Sequence, residues 1–194
     1  MMEYDSKEKK ITINKQLNEL DKFVVDFLRI LTKHTDYVII SGYVSILLGR
    51  ARATEDIDIF IKKISKENFE QLNFELDKKE FWCLNSAEVS FLYEYLNDNL
   101  AIRFARKDRV IPNMEIKFPK NQIDEEIFDD FVIVELPNFK FKISSLERQI
   151  AFKRYFLKSP KDIEDAVHIE ELFKEKLDYN KINKFKCLIE NNGK

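Results

Sequence analysis

One stretch constrains this chain more than any other: Ser41-Gly42-Tyr43-Val44-Ser45-Ile46-Leu47-Leu48-Gly49-Arg50-Ala51-Arg52-Ala53-Thr54-Glu55-Asp56-Ile57-Asp58-Ile59-Phe60. An apolar strand over 37–40 runs into a Ser-Gly turn. A short helix follows, then a basic turn, then a second strand carrying Asp56 and Asp58. Residues two apart on a strand share a face. Ile57, Ile59 and Ile61 therefore point to the core, and the two aspartates stand together on the other side. Adjacent carboxylates repel unless a cation lies between them. A hard divalent ion wants such an all-oxygen arrangement and commonly shares it with substrate phosphates. The turn at Ser41-Gly42 offers backbone N–H groups to an anion, and Arg50 and Arg52 lie just upstream of the acids. Alone, Asp-x-Asp is an acidic strand end facing water; the turn and the arginines beside it give it chemical meaning.

Around this unit the helical period sets the other elements. Leu17, Leu20, Phe23, Val24, Phe27, Leu28 and Leu31 predict a helix over about 14–34. Ser65 reads as the cap of a helix reaching about Lys79, and 86–97 as a further short helix. The runs 100–105 and 111–118 read as a hairpin, as do 131–135 and 139–143 about Pro137-Asn138. In the run Met114-Glu115-Ile116-Lys117-Phe118, the apolar residues alternate inward, which puts Glu115 and Lys117 on the opposite face. Ser144-Ser145-Leu146-Glu147 reads as a capping box, and Ser159-Pro160-Lys161-Asp162 as a second helix start with Ser as N-cap and Pro at N1. A last helix is expected over 179–190. Phe139, Phe141, Phe152, Tyr155 and Phe156 are expected in the core, and Trp82 as a core or interface anchor.

Composition narrows the function classes. With 33 basic and 35 acidic residues, net −2, the chain lacks the basic surface that broad nucleic-acid coating needs. Only His34, His168, Cys83 and Cys187 could serve a zinc site, and they lie too far apart in sequence for the usual ligand spacing. No run approaches a membrane span and the charged start has no apolar leader segment, so cytoplasmic localisation without membrane contact is expected. Apolar residues make up 44%, enough for a substantial core in 194 residues.

The motif over 41–58 resembles the nucleotidyltransferase superfamily to which DNA polymerase β belongs, whose hallmark is G-[GS] at a helix start and D-x-D on the next strand. It is similar above all to the minimal and abortive-infection-type branch of type IV toxin–antitoxin pairs, where the pattern reads G-G-x-A-x-x-x-x-G-x-x-R-x-T-x-D-x-D. Ser41-Gly42 stands at the glycine pair, Gly49, Arg52, Thr54, Asp56 and Asp58 match in order, and Val44 replaces the small residue. Leu146 to Arg154, followed by Lys161-Asp162-Ile163-Glu164-Asp165-Ala166, is similar to that branch's lysine helix and K-D-x-x-D helix start.

The resemblance implies an α+β fold: a mixed sheet with flanking helices, and a helical C-terminal part. It divides the chain into a core over 1–143 with the N-terminal helix and a part over 144–194 that completes the cleft, the two forming one compact unit. It implies an enzyme moving a nucleoside monophosphate from a nucleoside triphosphate (NTP) to a hydroxyl, with Mg²⁺ or Mn²⁺ as cofactor. Asp56, Asp58 and Glu115 would be the catalytic residues and would together hold two such ions. The superfamily's third acid would be Glu115, where Asp is commoner, with Asp98 and Asp108 as weaker alternatives. Ser41, Gly42, Arg52, Thr54, Lys153 and Asp162 would bind the nucleotide, with Asp165 in reserve. The acceptor is left open among a protein side chain, an RNA 3′ end and a small molecule such as an aminoglycoside, and a cognate toxin or antitoxin is an implied partner. The rival expectation is an inactive member of the same fold that acts by contact.

Overall fold

The computed structural model describes residues 2–192. The chain opens with strands β1 (Met2–Asp5) and β2 (Lys10–Ile13), a hairpin that the sequence reading passed over as a charged start. Its turn is set by Asp5, whose Oδ1 accepts from the N–H groups of Lys7 and Glu8 at 3.0 and 3.1 Å. Helix α1 (Glu19–Leu31) is shorter than its apolar period suggested. Asn18 and Asp21 close a capping box that fixes the first turn. Then come β3 (Tyr37–Ile39), α2 (Gly42–Leu47), β4 (Asp56–Ile61), α3 (Lys66–Lys78), β5 (Phe81–Cys83), α4 (Val89–Asn97), β6 (Ile102–Arg106) and β7 (Asn113–Lys117). A short helix α5 (Gln122–Glu125) and a 3₁₀ turn lead to β8 (Phe131–Leu136) and β9 (Phe139–Ser144). Helix α6 (Leu146–Ala151) continues as a π-helical segment, Phe152–Leu157. Helices α7 (Pro160–Phe173) and α8 (Tyr179–Asn192) end the described chain.

The chain forms two compact units. One holds Lys15–Ile39 and Thr54–Asp129; the other holds Ile40–Ala53 with the described residues of Met1–Asn14 and Asp130–Lys194. In the first, the strand order is β3-β4-β7-β6-β5. The β4–β7 pair is parallel and the others are antiparallel. Ile57, Ile59, Ile61, Met114 and Ile116 are buried, as the alternation requires. Phe27 of α1 packs edge-on to Phe81 at 5.2 Å and lies 5.9 Å from Phe104, tying that helix to the sheet. Burial of each such ring contributes about 1.5–3 kcal/mol.

In the second unit the order is β1-β2-β8-β9, with β2 and β8 parallel. Its core gathers Ile11, Val134, Phe141, Ile143, Leu146, Ile150, Ile169 and Phe185. The strands of each unit thus pair in a mixed pattern, and the α+β class expected from the sequence holds. Three expectations need correction. The cap of α6 is Ser145, whose Oγ accepts from Arg148 N, while Ser144 Oγ accepts from the Gln149 amide. The core alternative for Trp82 falls, since it is exposed on the edge strand β5, where its indole N–H reaches the carbonyls of Arg106 and Arg109. Phe156 is 63% exposed because it falls at the end of the π-helical segment, next to left-handed Lys158. Among the described residues no helix is long and apolar enough to cross a membrane.

Candidate active site

The acidic face lies on β4 and β7. Asp56, Asp58 and Phe60 alternate with the buried isoleucines, so both aspartates stand on one half-exposed face. The parallel register sets Asp56 beside Asn113 and Asp58 beside Glu115. Thr54 donates its hydroxyl to the Asp56 carbonyl at 2.9 Å, with Oδ1 at 3.4 Å, so the matching threonine of the motif orients the first aspartate.

Two cations complete this face. Lys117 Nζ is 3.0 Å from Asp58 Oδ1 and 3.6 Å from Glu115 Oε1. Arg103, opposite Glu115 on β6, places Nη2 2.5 Å from Glu115 Oε2. Alternation foretold that Glu115 and Lys117 share a face. Arg103 was missed, because the antiparallel register of β6 against β7 has no local signature. Among the described residues no three His, Cys, Asp or Glu side chains converge as a metal-ligand group. Asp56 and Asp58 share a face of β4; Asp58 is paired with Lys117, and Glu115 with Lys117 and Arg103.

The donors present fit a hard divalent ion at the aspartates. Both offer only oxygen. Asn113, at the same level as Asp56, gives its amide N–H to the Glu55 and Val110 carbonyls and leaves Oδ1 buried without a hydrogen-bond partner. Carboxylate and amide oxygens are the ligands such ions take. Asn113 is a second residue the sequence reading did not single out, although it lies two positions before Glu115 on the same face.

The other candidate residues belong to the second unit. Ser41 precedes α2 with φ 64° and ψ −135°, a region glycine enters readily and other residues rarely do. Its side chain makes no capping bond, and Gly42 is the buried first residue of the helix. Gly49, at φ 101°, ends the turn after α2. His168 Nε2 lies 3.0 Å from the Leu48 carbonyl, which gives this mid-helix histidine a packing role between α7 and the end of α2.

Arg52, Lys153 and Asp162 meet around a residue held only in reserve. Asp165 is fully buried and receives Lys153 Nζ at 2.8 Å, Arg52 Nη2 at 2.9 Å and Arg50 Nε at 3.4 Å. Lys153 is 1% exposed and lies 3.5 Å from Asp162 Oδ1. Asp162 also accepts from the Ser159 hydroxyl at the start of α7. Burial pushes the Asp165 carboxyl up, but the hydrogen bonds and charges of Lys153 and Arg52 outweigh it and hold its pKa below the ordinary value. The buried Lys153 ammonium is thus paired with two carboxylates. Arg52 also donates to the Ala53 carbonyl at 3.2 Å and keeps a buried Nε–H without a hydrogen-bond partner.

No family model and no curated protein matches this chain. Among solved structures it is similar to an antigenic nucleotidyltransferase-like protein from Paracoccidioides brasiliensis, with a TM-score of 0.56 and 17% identity. The match covers 88% of this chain and 84% of that one. At this identity the likeness speaks for fold alone, and it is to a nucleotidyltransferase-like α+β fold that the chain is similar.

Proposed function

We propose that this protein is a divalent-metal-dependent nucleotidyltransferase, moving a nucleoside monophosphate from an NTP to a hydroxyl acceptor. The observation that carries the reading is the Asp56–Asp58 pair on one face of β4, with an unpartnered amide oxygen at its level, in a nucleotidyltransferase-like fold. Asp56 and Asp58 would hold Mg²⁺ or Mn²⁺. Such an ion polarises phosphoryl oxygens and stabilises the departing pyrophosphate.

This chain's own residues have separate tasks. Thr54 holds the Asp56 backbone through its carbonyl, with the carboxylate 3.4 Å away. Glu115, as the third acid, acts through the cations it binds. Ser41 and Gly42 offer backbone N–H groups, and Arg52 its guanidinium, to phosphate oxygens. Lys153 and Asp162 contribute by setting Asp165, which in turn fixes Arg52. The acceptor classes are a protein side chain, an RNA 3′ end or a small molecule. The motif's likeness to the abortive-infection-type branch favours protein or RNA, with a cognate toxin or antitoxin as partner.

A second reading has its own observation. Glu115 is engaged by Arg103 and Lys117, which suits a fold that has kept its binding role and lost turnover. Pyrophosphate release separates the two. The full chain is incubated with each NTP and Mg²⁺ or Mn²⁺, with total RNA or co-purified protein as acceptor. Release that needs an acceptor and is absent in Asp56→Asn/Asp58→Asn supports transfer. Release equal in wild type and double variant contradicts it.

A further inference from the structure

We infer that Lys117 and Arg103 stand in for a second divalent ion on the acidic face, so that the protein binds one such ion and not two. The inference rests on the reading that Asp56 and Asp58 hold an ion. A two-ion site places its metals about 3.5–4 Å apart and shares carboxylates between them. The carboxylates that a second ion would share across β4 and β7 are the register neighbours Asp58 and Glu115. The Lys117 ammonium already bridges them, 3.0 Å from one and 3.6 Å from the other. Its remaining side faces the Phe60 ring, 5.5 Å from the centroid, which favours a cation in that position. The side chains of Asp58, Glu115 and Lys117 are all at most 21% exposed, so solvent screens this bridge weakly. Arg103 engages the other oxygen of Glu115.

Charge counting leads the same way. Asp56, Asp58 and Glu115 carry three negative charges, and Lys117 with Arg103 carries two positive ones. The face thus sums to −1 without an ion and +1 with one divalent ion, whereas a second would bring it to +3. An ion between Asp58 and Glu115 would also have to displace the ammonium. Lys117 is thus a positioning residue that supplies fixed charge at the third acid.

The test is a titration of the nucleotide-free full chain with Mn²⁺, reading free ion by electron paramagnetic resonance and stoichiometry by calorimetry. Wild type is expected to bind one ion. Lys117→Met, with Glu115 released, is expected to bind two, and Lys117→Arg to keep one; melting curves check that the variants fold. Two ions in the wild type, or one ion in a folded Lys117→Met, would overturn the inference and leave the proposed function standing. No ion in any form, with Asp56→Asn unchanged from wild type, would remove the metal reading itself and this inference with it.

Discussion

Ser41 carries the clearest signature of strain in the chain. A non-glycine residue at φ 64°, ψ −135° costs about 1–3 kcal/mol. Ser41→Gly relieves that strain and loses only a side chain that makes no capping bond. It is expected to raise stability by about 1 kcal/mol, measured by urea unfolding. A drop in stability would mean that the serine hydroxyl makes up for the backbone cost. The two aspartates should separate as well. Asp56→Ala removes no ion pair and is expected within about 0.5 kcal/mol of wild type. Asp58→Ala takes a partner from Lys117 and is expected to cost about 1 kcal/mol. At this scale the sequence was informative wherever strand alternation decided the matter. It told the faces of Asp56, Asp58, Glu115 and Lys117. It could not tell Arg103, which meets Glu115 only through an antiparallel register, nor that Asp165 is the hub its cationic neighbours share.

Elements were read well where a cap and a period agreed. Ser65 and Ser159 cap α3 and α7 as their sequences indicate. The α6 cap slipped by one residue because two serines compete for it. The β1–β2 hairpin stayed hidden because its apolar residues are too sparse for a strand period and its turn depends on Asp5. The sequence offered Lys153 as a nucleotide ligand and could not show its burial, which comes from the packing of α6, its π-helical extension and α7. Lys153→Met therefore leaves Asp165 with less compensation in the interior and is expected to cost about 3–5 kcal/mol in chemical unfolding. A loss below about 1 kcal/mol would show that the arginines suffice. Asp165 also gives this cluster a pH dependence. Its folded pKa lies below the unfolded value, so its contribution is complete above the ordinary carboxylate range and is lost as pH falls through the folded value. Stability from pH 7 down to about pH 3 should fall less steeply in Asp165→Asn than in wild type. Parallel slopes would assign the acid sensitivity to other groups.

For the molecule as a whole, the near-neutral charge argues against a surface that coats nucleic acid broadly. The fold class was legible because the strand–turn–helix–strand motif fixes sheet and acids together. The ion pairing of Glu115 was not, since it depends on three strands brought side by side. The central claim is that the chain transfers the α-phosphoryl group of an NTP to an acceptor through Asp56 and Asp58. Parallel reactions with α- and γ-labelled NTP test it most directly. The expected result is label on the acceptor from the α position alone, lost in Asp56→Asn/Asp58→Asn. Label from the γ position, or α label undiminished in the double variant, would contradict the account.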